Sequence, residues 1–168
     1  IIMKTIVLAS NNKHKIKEIE NILNVDIITM KDIGYIDDII EDGNSFLENA
    51  LIKARTISEY LKEKGLSYDV LADDSGLCCE ALNGEPGIYS ARYSGDHNVI
   101  EDRKKLLSNL DGKDRKAYFN CTLVLYKIDG SYQVFEGETY GTITKEELGN
   151  KDFGYDCLFL SDDLNKTF

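Results

Sequence analysis

Apolar residues recur along this chain with two periods, one of strands and one of helices, and the switches between them mark its elements. The first apolar run, residues 4–9, is rich in Ile and Val and breaks on Ser10-Asn11-Asn12, which predicts a buried strand running into a polar loop. Ile16, Ile19, Ile22 and Leu23 then recur at helical spacing, so the loop opens a helix of about three turns. A second short strand is expected over 25–29, followed by an acidic, irregular stretch over 31–44. The clearest helix comes next. Phe46, Ala50, Ala54, Ile57 and Leu61 share one face, Ser45 and Glu48 stand at capping-box spacing, and Gly65 is a suitable stop.

Residues 68–72 form a short apolar strand that is expected to end on Asp73-Asp74-Ser75-Gly76, with an apolar run resuming over 77–82. Gly84-Glu85-Pro86-Gly87 reads as a loop, and Asn98 with Glu101 at capping-box spacing opens a helix over 99–110. Over 117–126 the chain alternates, with Phe119, Cys121, Leu123 and Leu125 on one side and Tyr118, Thr122, Val124 and Tyr126 on the other. Asp129-Gly130 marks a hairpin into 132–135, Gly137, Gly141 and Ile143 predict a separate bent strand, and 157–160 is the expected last strand. The sum is a mixed α/β chain with an antiparallel portion and no internal repeat.

A length of 168 residues suits one domain, 1–168, with a real hydrophobic core. Thirty Asp and Glu outweigh 20 Lys and Arg for a net charge of −10, and no long basic run offsets them, which argues against a nucleic-acid partner. A small polyanion stays open, because a few lysines, a helix N-terminus or a bridging cation are enough to hold one. Cys78, Cys79, Cys121 and Cys157 lack C-x-x-C spacing and follow no secretory signal, the pattern of reduced thiols in a cytoplasmic protein. No apolar run approaches the roughly 20 residues of a membrane span. Two histidines, His14 and His97, are too few for a multi-imidazole zinc site. The chain starts Ile1-Ile2-Met3 and stops at Phe168 just after a strand-like segment, so trimmed ends are expected.

Four groups of residues carry candidate chemistry, each with a structural alternative. Ser10, Asn11, Asn12, Lys13, His14 and Lys15 lie between a buried strand and a helix, where amides, backbone N–H groups and lysines suit phosphates; capping with solvated lysines is the other reading. The pattern of a P-loop is absent. Around the long helix, Asn49 and Lys53 share a face, Glu48 doubles as a capping residue, and Glu41 is a metal ligand or a solvated acid. Asp73 and Asp74 bring two adjacent carboxylates to a strand end, where a hard cation with oxygen ligands would relieve their repulsion; turn chemistry is the alternative. Phe153, Gly154, Tyr155 and Asp156 offer aromatic faces and a carboxylate for a nucleobase, or core aromatics and a turn.

Taken in order, five segments resemble the inosine triphosphate pyrophosphatase family: 8–15, Glu41-Asp42-Gly43 with 46–50 and Lys53-Ala54, 72–77, 86–95, and Phe153-Gly154-Tyr155-Asp156. The resemblance implies hydrolysis of ITP, dITP and XTP to the monophosphate and pyrophosphate, which removes non-standard purines from the nucleotide pool. It implies an elongated mixed β-sheet with flanking helices forming two lobes around a central cleft, a homodimer, and Mg2+ as cofactor. By the same resemblance Asp74 accepts the proton of the attacking water, Glu41 and Asp74 hold the metal, and residues 10–15 with Lys53 bind phosphates. Ser75 contacts substrate, and Phe153, Gly154, Tyr155 and Asp156 form part of the base pocket. Two departures are visible: the family's later Ser-His-Arg motif, which reads the base, does not occur by Phe168, and Cys157 stands where the family commonly has Pro. A pyrophosphatase for modified pyrimidine nucleotides and a nucleotide-binding protein without catalysis are the competing readings.

Overall fold

The computed structural model describes residues 4–95, 97–149, 154–163 and 166–167. The chain divides into two compact units, residues 1–74 with 122–136 and residues 75–121 with 137–168.

In the first unit, strand β1 (Thr5–Leu8) pairs in parallel with β2 (Asp26–Thr29) on one side and with the start of β3 (Asp69–Cys79) on the other. Parallel strands need crossovers, and helix α1 (Lys13–Leu23) supplies the one from β1 to β2. Helix α2 (Phe46–Glu63) covers the opposite face. The strand order is β2-β1-β3-β4, where the end of β4 (Lys116–Tyr126) belongs to this unit. Both faces are apolar, as a helix-covered parallel sheet requires. Ile6, Leu8, Ile27 and Leu71 pack with Ile16, Ile19, Leu123 and Leu125. Val7, Val70, Ala72 and Val124 pack with Ala50, Ala54, Ile57 and Leu61 of α2. The helical stripe and the β4 alternation read from the sequence therefore both face cores.

In the second unit the strands run β3-β4-β5-β6-β7, with β5 (Tyr132–Ile143), β6 (Phe159–Ser161) and β7 (Lys166–Thr167) antiparallel from β5 onward. Helix α3 (Val99–Asn109) starts on Asn98, whose side chain accepts from the N–H groups of Ile100 and Glu101. Leu106 and Leu110 bury against Leu77, Cys79, Ile143, Leu158 and Phe159, and Phe119 sets its ring edge-on to Phe159 with centroids 4.7 Å apart. Gly141 fits where a side chain would not, since a Cβ there would lie 2.3 Å from the Leu160 carbonyl oxygen.

Three expectations are corrected. β3 does not stop at Ala72 but runs through Asp73-Asp74-Ser75-Gly76 to Cys79, because buried anchors on both sides and β4 alongside outweigh the local turn tendency. β5 is one strand rather than two. The last expected strand begins at Phe159, after a 3-10 turn over Asp156–Leu158. Cys78, Cys79 and Cys157 are buried free thiols, and Cys121 is an exposed one. Among the described residues no helix is long and apolar enough to cross a membrane.

Candidate functional site

Continuity of β3 decides where its two aspartates go. Successive strand residues point to opposite faces, so Leu71 and Asp73 share the α1 side while Val70, Ala72 and Asp74 share the α2 side. Asp73, 3% exposed, takes Lys15 Nζ of α1 at 2.7 Å. Asp74 Oδ2 accepts from Asn49 Nδ2 of α2 at 3.1 Å. The two carboxylates expected to meet at a turn are thus turned away from each other, and each has its own partner.

The α2 side gathers more. Asn49 and Lys53 stand one turn apart on the helix. Lys53 Nζ lies 3.1 Å from Glu41 Oε1, and Asn49 Oδ1 accepts from the Gly43 N–H at 2.8 Å. Gly43 is close-packed: a Cβ there would come 2.7 Å from Asn49 Oδ1 and from Glu48 Cβ. Glu48 itself is a capping residue, its N–H donating to Ser45 Oγ at 3.1 Å and its carboxylate accepting from the Asn44 N–H. Burial pushes the Asp74 carboxyl up to about 6; the Asn49 bond and the Lys53 charge oppose this, while Glu41 and Asp73 add to it. A carboxyl so placed is ionised at neutral pH yet basic enough to take a proton from water. Within the first unit, then, Glu41, Lys53 and Asp74 come together.

At the start of α1, Asn12 Oδ1 accepts from the N–H groups of His14 (3.0 Å) and Lys15 (3.4 Å), and the Asn12 N–H donates to Ser10 Oγ at 3.1 Å. Capping, the structural alternative for this segment, is what Asn12 does here. Asn11, Lys13 and His14 are exposed.

The remaining expected site residues belong to the second unit. Ser75 is its first residue, half-buried on β3. The Gly154 carbonyl accepts from Arg103 Nε at 2.6 Å. Tyr155 is 5% exposed, packs into the unit's core and donates its hydroxyl to the Ser90 carbonyl at 2.7 Å; burial pushes its phenol up. A ring held this way braces its loop. Asp156 is half-buried and begins a 3-10 turn. Phe153 lies outside the described residues.

Two residues were not foreseen in their structural roles. Asn49 was legible only as a helix-face neighbour of Lys53, and nothing local showed that its amide reaches Gly43 and Asp74, the latter 25 residues on. Arg103, 4% exposed, pairs with Glu147 at 3.2 Å besides holding Gly154, partners 44 and 51 residues away that no local pattern announces.

As metal donors the α2 side offers the oxygens of Glu41 and Asp74. Among the described residues no group of three or more His, Cys, Asp or Glu side chains forms a closed cage. One or two carboxylates, with water and phosphate oxygens completing the shell, is the manner in which Mg2+ is usually held. The donor chemistry fits that ion, and a cation would offset both the burial that raises Asp74 and the smaller repulsion from Glu41 and Asp73.

The pattern of the Ham1 family matches residues 6–168. A dITP/XTP pyrophosphatase of Clostridium perfringens is 47% identical, with 99% of this chain and 85% of the relative covered. One of Leuconostoc mesenteroides is 42% identical over 97% of this chain and 83% of the relative. Among solved structures, the Ham1 protein of Staphylococcus aureus superimposes with a TM-score of 0.84 at 39% identity, covering 98% of this chain and 84% of that one. A HAM1 protein from Coxiella burnetii gives 0.86 at 36% identity, covering 98% and 85%. With a family pattern spanning nearly the whole sequence and relatives this similar, the chain belongs to the Ham1 family.

Proposed function

We propose that this protein is a nucleoside triphosphate pyrophosphatase that hydrolyses non-standard purine nucleotides, dITP, ITP and XTP, to the monophosphate and pyrophosphate. The observation that carries the reading is Asp74, a part-buried carboxylate raised to about 6 beside Glu41 and Lys53. The names of its dITP/XTP pyrophosphatase relatives support the substrate class.

In this reading Asp74 accepts a proton from the water that attacks the α-phosphorus, a role worth roughly 10²–10⁴ in rate. Asn49 fixes the plane of that carboxylate, and Lys53 sets a positive charge beside the reacting groups. Glu41 and Asp74 would hold Mg2+, which supplies charge neutralisation on the phosphate oxygens when bound. Residues 10–15 present the start of α1 and its lysines to the phosphates. Ser75 and residues 154–156 would contact the base, with Tyr155 acting as support. The whole of 1–168 works as one catalytic domain, paired as a homodimer in the cytoplasm.

Incubation with Mg2+ and a panel of dITP, XTP, dATP and dUTP, followed by ion chromatography, tests the assignment. Pyrophosphate with faster turnover of dITP and XTP is the expected result. Orthophosphate as product, faster turnover of dUTP, or tight nucleotide binding with no product would overturn it.

A further inference from the structure

We propose that Asn49 is the positioning residue of the Asp74 site: its amide ties the loop carrying Glu41 to the strand carrying Asp74, so that both carboxylates face one divalent cation. The inference rests on the reading of Glu41 and Asp74 as cation ligands given above.

Asn49 is 1% exposed and sits on α2 next to Ala50, with its other neighbours one turn on, Ala54 and Lys53, fixed by packing and by the Glu41 ion pair. Its two polar atoms are committed in opposite directions. The Gly43 N–H is a donor, so only Oδ1 can meet it, which leaves the NH2 group to face the Asp74 carboxylate. No other side chain of this length serves both. Aspartate would accept from Gly43 but repel Asp74, and leucine would fill the space with neither bond.

The glycine is part of the same device. Gly43 lies two residues beyond Glu41, and the space for its missing Cβ is taken by Asn49 Oδ1 and Glu48 Cβ, both 2.7 Å away. Any side chain at 43 would push the loop off the amide and carry Glu41 with it. Lys53 holds Glu41 from the other side at 3.1 Å. Glu41 is thus fixed at its own carboxylate and through the backbone two residues later, and the second tie leads to Asp74. Outer partners of this kind act by orienting ligands rather than by touching the reacting atoms, and their loss characteristically costs 10- to 100-fold in metal affinity or activity, on the order seen for such groups generally.

Mn2+ binding followed by electron paramagnetic resonance, without substrate, provides a readout separate from turnover. The full chain is compared with Asn49→Ala, which removes both ties, and Gly43→Ala, which crowds only the loop tie. Ser58→Ala, at a buried position of α2 elsewhere, serves as a structural control. Circular dichroism and Tm accompany each measurement. The expected result is a Mn2+ Kd raised about tenfold or more in Asn49→Ala and by a smaller factor in Gly43→Ala, with kcat on dITP falling alongside and KM within about threefold. Ser58→Ala leaves Mn2+ binding where it was, whatever its effect on Tm. Should Asn49→Ala not fold, Gly43→Ala, which keeps the amide, decides alone. Folded variants that bind Mn2+ and turn over dITP within about twofold of the parent would overturn the positioning role while leaving the functional reading intact. A parent chain that neither binds Mn2+ nor hydrolyses dITP would overturn that reading, and this inference with it.

Discussion

The α2 side of the first unit and the 154–156 loop of the second both use charged groups, and they use them in opposite ways. Around Asp74 the charged side chains meet other side chains: Lys53 with Glu41, and Asp74 with the neutral amide of Asn49, in a setting where burial has raised one carboxyl to about 6. At the loop, Arg103 is 4% exposed and, besides its ion pair with Glu147, gives its Nε to a backbone carbonyl. The first arrangement keeps its charges ready to exchange partners; the second uses a charge to fix a backbone. Raised pKa values and converging carboxylates mark chemistry, whereas an arginine bonded to a carbonyl marks scaffolding.

That contrast can be broken most sharply at Asp74. Asp74→Asn should reduce turnover of dITP by roughly 10³-fold, measured at saturating substrate. The same change should raise Tm at pH 8. The folded-state pKa of about 6 lies above the ordinary 3.8, so the folded form binds the proton more tightly and the parent loses stability as pH rises from about 4 through 6. Asparagine has no such charge to bury. The gain should shrink toward zero near pH 4, and thermal scans across this range would show it.

Arg103→Leu should do the reverse, costing stability first. It takes a donor from the Gly154 carbonyl and a counter-charge from Glu147, a change expected to cost about 3 kcal/mol by urea denaturation, the low end for a buried pair because Glu147 is partly exposed. Lys53→Met, at the chemical end of the comparison, should lower kcat by on the order of tenfold to a hundredfold with a smaller shift in Tm. At the bottom of the scale, Lys104→Ala removes only the exposed ion pair with Glu101 on α3, whose side chains are 70% and 54% exposed, and neither Tm nor turnover should change measurably.

How far all this could be read from the sequence differs between the two regions for the same physical reason. The α2 stripe, its Ser45 cap and the alternation of β4 are local periodicities, and they hold in the structure. Glu41, Lys53 and Asp74 were named as a set only through the family resemblance, since residue type alone left Glu41 a metal ligand or a solvated acid; the fold brings the three together. The facing of Asp73 and Asp74 was not legible. Asp-Ser-Gly carries a turn signal, and only the long-range ladder of β3 overrides it and sends the pair to opposite faces. The same holds for the unbroken β5 and for β7, whose two residues are too short for any period. Tyr155 read equally well as stacking platform or core ring, and the bond of its hydroxyl to Ser90, 65 residues away, was not legible. Arg103 gave no signal, because both its partners lie more than 40 residues away.

The central claim, that an Asp74-activated water attacks the α-phosphorus, is tested most directly by hydrolysis of dITP in H2(18)O with mass spectrometry of both products. The account predicts the label in the deoxyinosine monophosphate and none in the pyrophosphate. Label in the pyrophosphate would place the attack at the β-phosphorus and contradict it.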